Sequence, residues 1–69
     1  MSNVSCIVNG EPRDVPADHT IADLLVEVGL RMSGIAVAVE QRVVSPEQFA
    51  SIDITPGMRI EIVRAVGGG

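Results

Sequence analysis

Few residues in this 69-residue chain are equipped for chemistry. They are one cysteine, Cys6, one histidine, His19, three aspartates near one another in sequence, Asp14, Asp18 and Asp23, and a terminal glycine run, Gly67-Gly68-Gly69. Nucleophilic catalysis needs a base within reach of the nucleophile, and no base-nucleophile pairing is visible for His19. Cys6 falls at an alternate position of an apolar run, where a free thiol behaves as a small buried hydrophobe. His19 precedes a helix signal and reads as a solvated loop residue. One Cys and one His do not make a structural zinc site. The aspartates suit the positive end of a helix dipole better than a metal. The remaining chemical group is the carboxylate of Gly69. It follows the apolar, alternating run Met58 to Val66, so the glycines read as a thin arm presenting a bare carboxylate. Glycine offers nothing on its α-carbon to clash with a narrow channel, and Val66 to Gly69 can reach about 14 Å when extended.

Composition bounds what positions that arm. A chain of this length is one domain and buries roughly 60% of its unfolded surface, so the core is marginal. Apolar residues make up 46% of the chain, yet Phe49 is the sole aromatic, so the core must be aliphatic. A lone cysteine rules out an intrachain disulfide. The amino terminus lacks the basic start and apolar run of a signal peptide, and no stretch has membrane-spanning length; a cytoplasmic domain is the expectation. The net charge of −4 argues against nucleic-acid binding, which calls for a basic patch. All five basic residues, Arg13, Arg31, Arg42, Arg59 and Arg64, are arginines and none is lysine. Codon bias explains this simply. A chemical reading is compatible with it: a chain whose terminus becomes an activated acyl group gains by carrying no nucleophilic side-chain amine, and arginine stays protonated.

The elements follow in order. Val4 to Val8 alternates as a strand, with Val4, Cys6 and Val8 on one face. Asn9-Gly10 is a hairpin signal, Glu11-Pro12 widens the turn or starts the return, and Arg13 to Val15 runs back until Pro16. Thr20 with Asp23 forms a capping box. Ile21, Leu24, Leu25 and Val28 then give one apolar face of a helix over 21–28, closed by Gly29, with Leu30 folding back on Leu25. Two turns of helix cannot persist alone and must lie on a sheet. Ile35 to Val39 is a buried strand, Glu40-Gln41 a turn, and Arg42 to Val44 a short return. Ser45-Pro46 with Gln48 caps a single helical turn over 46–50, anchored by Phe49. Ile52 and Ile54 flank Asp53 and plug the sheet's edge. Met32 and Met58 read as core filler. Thr55-Pro56-Gly57 is a type II turn, and Arg59 to Ala65 is the last strand, returning to the middle of the sheet beside the first. The result is an α+β domain over residues 1–65, a mixed sheet of four to five strands gripping one helix, followed by a flexible tail over 66–69.

The chain resembles the ubiquitin-like β-grasp sulfur carriers, and most closely the thiamine-biosynthesis carrier family, ThiS. The likeness rests on Val8-Asn9-Gly10-Glu11, Thr20-Ile21-Ala22-Asp23-Leu24-Leu25, Gly34 to Val39, Val43-Val44 with Phe49, Pro56-Gly57, and the terminal Gly68-Gly69, in that order over the whole chain. It departs by a third glycine, Gly67, and by Glu40 where the family more often has asparagine. The resemblance implies a β-grasp fold and a carrier that is a co-substrate rather than an enzyme. It implies that an adenylating enzyme of the ThiF type uses ATP to activate the Gly69 carboxylate. Sulfur then arrives from a persulfide supplied through a cysteine desulfurase. Thiazole synthase (ThiG) takes sulfur from the resulting thiocarboxylate. The carrier itself binds no cofactor. Physical chemistry agrees: an α-carboxylate with a pKa of about 3.5 is ionised at neutral pH and is a poor electrophile until adenylated.

Partner choice needs a surface. The sheet face away from the helix is expected to show Ile7, Ala36, Ala38, Val63 and Ala65 as one apolar patch leading to Val66, Gly67 and Gly68, rimmed by Arg59, Glu61 and Arg64. Other readings of the same chain are a MoaD-like carrier for molybdopterin, a carrier for cysteine synthesis, a ubiquitin-like protein modifier, and a plain interaction module with an inert tail.

Overall fold

The computed structural model describes residues 2–29 and 34–64. In chain order the elements are β1 (Asn3–Val8), β2 (Glu11–Pro16), α1 (Ile21–Glu27), β3 (Ile35–Val39), β4 (Arg42–Val44), a 3-10 turn (Pro46–Ser51) and β5 (Arg59–Arg64). The sheet order is β2-β1-β5-β3-β4. The last strand therefore sits at the centre, parallel to β1 and antiparallel to β3.

Turn chemistry sets both hairpins. Asn9 and Gly10 both have positive φ, 52° and 84°, so the two-residue loop twists with its strands and β2 starts at once, at Glu11. The reading that Glu11-Pro12 starts the return is the one the register supports, with Val8 opposite Glu11. The β3–β4 loop repeats this geometry with Glu40 and Gln41, φ 52° and 71°, residues that gain nothing sterically there. A long-range contact accompanies the strained conformation. The Glu40 carboxylate accepts from the Arg59 N–H at 2.8 Å, and the Glu40 N–H donates to the Arg59 carbonyl at 2.9 Å.

The helix is capped as its sequence requires. Asp23 N–H donates to Thr20 Oγ1 at 3.3 Å, and Thr20 N–H donates back to Asp23 Oδ2 at 3.0 Å. The helix ends at Glu27, one residue earlier than the apolar spacing suggests, with Val28 as the cap residue. Gly29 N–H donates to the Val26 carbonyl at 3.1 Å, one of the two bonds that close a glycine-terminated helix. Leu30 and Met32, expected to pack nearby, lie outside the described residues, as does Ala65 at the expected end of the last strand.

Those Thr20 bonds, the backbone one first and the hydroxyl second, hold the Asp23 carboxyl below its ordinary range. A carboxyl whose folded pKa is depressed adds stability above its unfolded pKa and loses it as pH falls through the folded value. Unfolding by acid below about pH 4 is therefore expected to carry a contribution from Asp23. In Asp23→Asn this part of the acid slope disappears, as circular dichroism against pH will report; an unchanged slope counts against the assignment.

The core consists of Cys6, Val15, Ile21, Leu24, Leu25, Val37, Phe49, Ile54 and Ile60, all at most 2% exposed. Phe49 anchors the 3-10 turn against α1. Ser45 N–H and hydroxyl both donate to Gln48 Oε1, at 3.0 and 3.2 Å. Residues 52–54 do not plug the sheet edge. They pair instead with the chain entering α1, through a bridge of Thr20 to Asp53 and the bonds Ile21 N–H to Ile52 C=O and Ile54 N–H to His19 C=O, both 3.0 Å. The physical reason is that the start of α1 needs partners for its free backbone groups, and Ile54 reaches the core from there. Gly57, φ 78°, takes the third position of the turn that Met58 N–H closes onto the Thr55 carbonyl at 3.1 Å.

Candidate functional site

Strand alternation decides which residues face away from the helix. On β1, Cys6 is buried and Ile7 lies on the other side, half-buried. On β5, Ile60 is buried and Ile62 packs against the core, so Arg59, Glu61 and Val63 point outward. On β3, Val37 is buried, and Ala36 (exposed) and Ala38 (half-buried) share the outer face. Cross-strand register sets Val63 opposite Ala36, Glu61 opposite Ala38, and Ile7 opposite Arg59.

Two features differ from the expected patch. Arg64 is opposite Ile35, which packs against the core; an even step from Ile62 puts it on the helix side, so it cannot rim the outer face. The patch is also broken on the β1 side, because Arg59 and Glu61 stand between Ile7 and the alanines. These two charged residues and Ile7 border a shallow depression with Gly10. In compensation, the sequence reading missed Val43. It is 78% exposed and opposite Ala38, so the apolar part of the face runs Val63, Ala36, Ala38, Val43 across β5, β3 and β4. The signal was present in the alternation of Arg42-Val43-Val44, where inward Val44 forces Val43 out. Val63 is 61% exposed, and it is the last outward residue of the described chain. Ala65, Val66, Gly67, Gly68 and Gly69, including the expected reacting carboxylate, lie outside the described residues.

The remaining candidates are structural. Cys6 is fully buried, and burial pushes its thiol above the ordinary range, so it is protonated and inert at neutral pH. His19 is half-buried, and its backbone, not its ring, is engaged, taking the Ile54 N–H. Asp14 and Asp18 are exposed. Arg13 approaches Glu27 at 3.7 Å, with both side chains 40% exposed; such a pair is worth little in water. No helix among the described residues is long and apolar enough to cross a membrane.

A five-stranded mixed sheet with a central last strand and one crossing helix is the ubiquitin-like β-grasp. In agreement, the crystal structure of the thiamine biosynthesis protein ThiS from Geobacter metallireducens superposes with a TM-score of 0.81 at 23% identity, covering 96% of this chain and all of that one. The family model of the ThiS family matches residues 6–69, and the chain belongs to that family. The sulfur carrier protein ThiS of Escherichia coli is 29% identical over 63 residues, 91% of this chain and 96% of that protein. Thiazole synthases from Paramagnetospirillum magneticum and Magnetococcus marinus are 33% and 32% identical over 63 and 62 residues. This chain spans 19% of the length of each of those two proteins.

Proposed function

We propose that this chain carries sulfur for the thiazole of thiamine, as a thiocarboxylate on Gly69. An adenylating enzyme of the ThiF type consumes ATP and joins AMP to the Gly69 carboxylate. The outer sulfur of a persulfide, supplied through a cysteine desulfurase, then displaces AMP to give an acyl disulfide, and a second thiol reduces it, releasing the thiocarboxylate and leaving a disulfide behind. A thiazole synthase takes the sulfur, and the chain acts as co-substrate throughout. The observation that carries this reading is the family match, which runs from residue 6 through residue 69 and so takes in the glycine run together with the domain. The synthase is assigned as consumer because a stretch similar to 90% or more of this chain lies within each of two thiazole synthases. The test is intact mass spectrometry after incubation with ATP, an adenylating enzyme and a sulfur donor. Exchange of one oxygen for sulfur is the expected result, and no mass change with cognate partners ends the reading.

Docking is assigned to Val63, Ala36, Ala38 and Val43, with Arg59 and Glu61 setting register and Ile7 beyond them. An exposed apolar block next to the strand that leads to Gly69 brings the partner to the terminus. Val63→Asp is expected to raise the KM for adenylation roughly tenfold, the cost of an interface residue worth about 1.4 kcal/mol. The thermal midpoint should hardly move, because the side chain is 61% exposed. Unchanged adenylation kinetics remove Val63 from the docking face.

A further inference from the structure

The β1–β5 pairing is short. Only Ile7–Arg59 and Val8–Ile60 are in register, because the chain leaves the sheet plane at Asn9-Gly10 to make β2. On its other side β5 stays paired with β3 as far as Arg64 opposite Ile35. Among the described residues beyond Ile60, one side chain ties the β1 side of the central strand. Asn9 donates its backbone N–H to the Ile60 carbonyl at 2.9 Å, and its Oδ1 accepts the Ile62 N–H at 2.8 Å. The carboxamide thus adds one rung where the β1 backbone has already turned away.

Turn propensity alone does not account for this. Asparagine is favoured at such a position because it tolerates positive φ and bonds its own neighbouring backbone; glycine fits the conformation at least as well. Here the side chain is spent on a residue 53 positions away, on the strand that runs into the terminal segment.

Resting on the carrier reading above, we propose that Asn9 is a positioning residue for the terminal chemistry. It ties the β1 side of β5 at Ile62, between the outward residues Glu61 and Val63, and so sets how the end of the strand that precedes Gly69 is presented to a partner. Without it, β5 is held beyond Ile60 from the β3 side alone, and the outward Glu61 and Val63 lose their fixed orientation toward a docked partner, where small misplacements are costly.

Asn9→Gly keeps the turn and removes the acceptor; Asn9→Asp keeps both. Two quantities separate the roles: amide exchange at Ile62 by NMR, and steady-state ATP–pyrophosphate exchange with a ThiF-type enzyme and the carrier as varied substrate. In Asn9→Gly, exchange at Ile62 should accelerate roughly fivefold, with amides of β3 and of Val4 to Val8 still protected. KM should rise roughly threefold to tenfold with kcat unchanged, and Asn9→Asp should restore both values. Faster Ile62 exchange with wild-type KM overturns the proposal and leaves Asn9 a turn residue. Loss of protection throughout the sheet also overturns it, by making the role one of global stability. A wild-type chain that is protected at Ile62 yet never adenylated overturns the carrier reading itself, and the positioning role with it.

Discussion

Adding a short peptide after Gly69 is expected to reduce sulfur loading below detection. The extension turns the reacting carboxylate into an amide, which has no anionic oxygen to attack the α-phosphorus of ATP. The new terminus lies too far along the arm to stand in for the old one. Deleting Gly69 asks a different question, because the third glycine leaves a Gly67-Gly68 end with its own carboxylate. That carboxylate falls about 3.5 Å short. A misplacement of even about 1 Å can cost a hundredfold in rate, so loading should fall by roughly that factor or more. A Gly68→Val variant keeps the length and adds three carbons, and a single added methylene in a fitted partner site is worth about 1–3 kcal/mol, so loading should fall roughly tenfold or more. None of these changes touches the buried core of the described residues, which runs from Cys6 to Ile60, so unfolding curves should coincide with wild type. Intact mass and adenylation kinetics read the outcome, and normal loading of the extended chain sinks the proposal that Gly69 is the reacting residue.

The other large effect is on stability. Phe49 is the largest fully buried side chain of the core and the only aromatic in the protein. Phe49→Ala removes the anchor of the 3-10 turn beside α1, at a cost of about 3–5 kcal/mol. A domain of this length has a total stability of roughly 3–10 kcal/mol at about 0.05–0.15 kcal/mol per residue. The loss is about a third or more of that total, so the urea midpoint should fall steeply, and carrier activity should fall in step with whatever fraction is unfolded. Phe49→Leu, which keeps most of the volume, should cost about 1–1.5 kcal/mol. Urea unfolding followed by circular dichroism measures both. A loss below about 1 kcal/mol in the alanine variant means that the aliphatic core collapses around the gap.

Local signals carried most of the architecture. The Asn9-Gly10 hairpin, the Thr20–Asp23 cap, the apolar helix face and the Pro56-Gly57 turn are set by residues within a few positions of one another, so they could be read directly. Boundaries were less legible. β1 and β2 extend further than their alternation suggests, because pairing with a neighbour holds terminal residues that have no strand signal of their own. The path of residues 52–54 was misread for a similar reason. Ile52 and Ile54 announce burial, but only the free backbone groups at the start of α1 show where they are buried.

Of the candidate site, whose chemistry is the proposal made above, the glycine run was visible in residue types alone. So was the outward position of Val63, Ala36 and Ala38, since strand alternation is a property of the chain. Register was not, because it depends on which strands meet and at what offset. Alternation alone already puts Arg64, an even step from Ile62, on the helix side and turns Val43 outward; register puts Arg59 and Glu61 between Ile7 and the alanines and sets Val43 opposite Ala38. The same holds for the two long-range clasps of β5. That Asn9 and Glu40 occupy turns follows from their neighbours. That their side chains seize the amides of Ile62 and Arg59 depends on a central strand arriving from fifty-three and nineteen residues away. The amino-acid sequence by itself determined the elements and the side of the sheet each strand residue takes, which are short-range, and it supplied the glycine run on which the proposed chemistry rests. Only the tertiary structure decided which side chains share a surface and what steadies the strand leading to Gly69, because those contacts exist only once distant segments have packed.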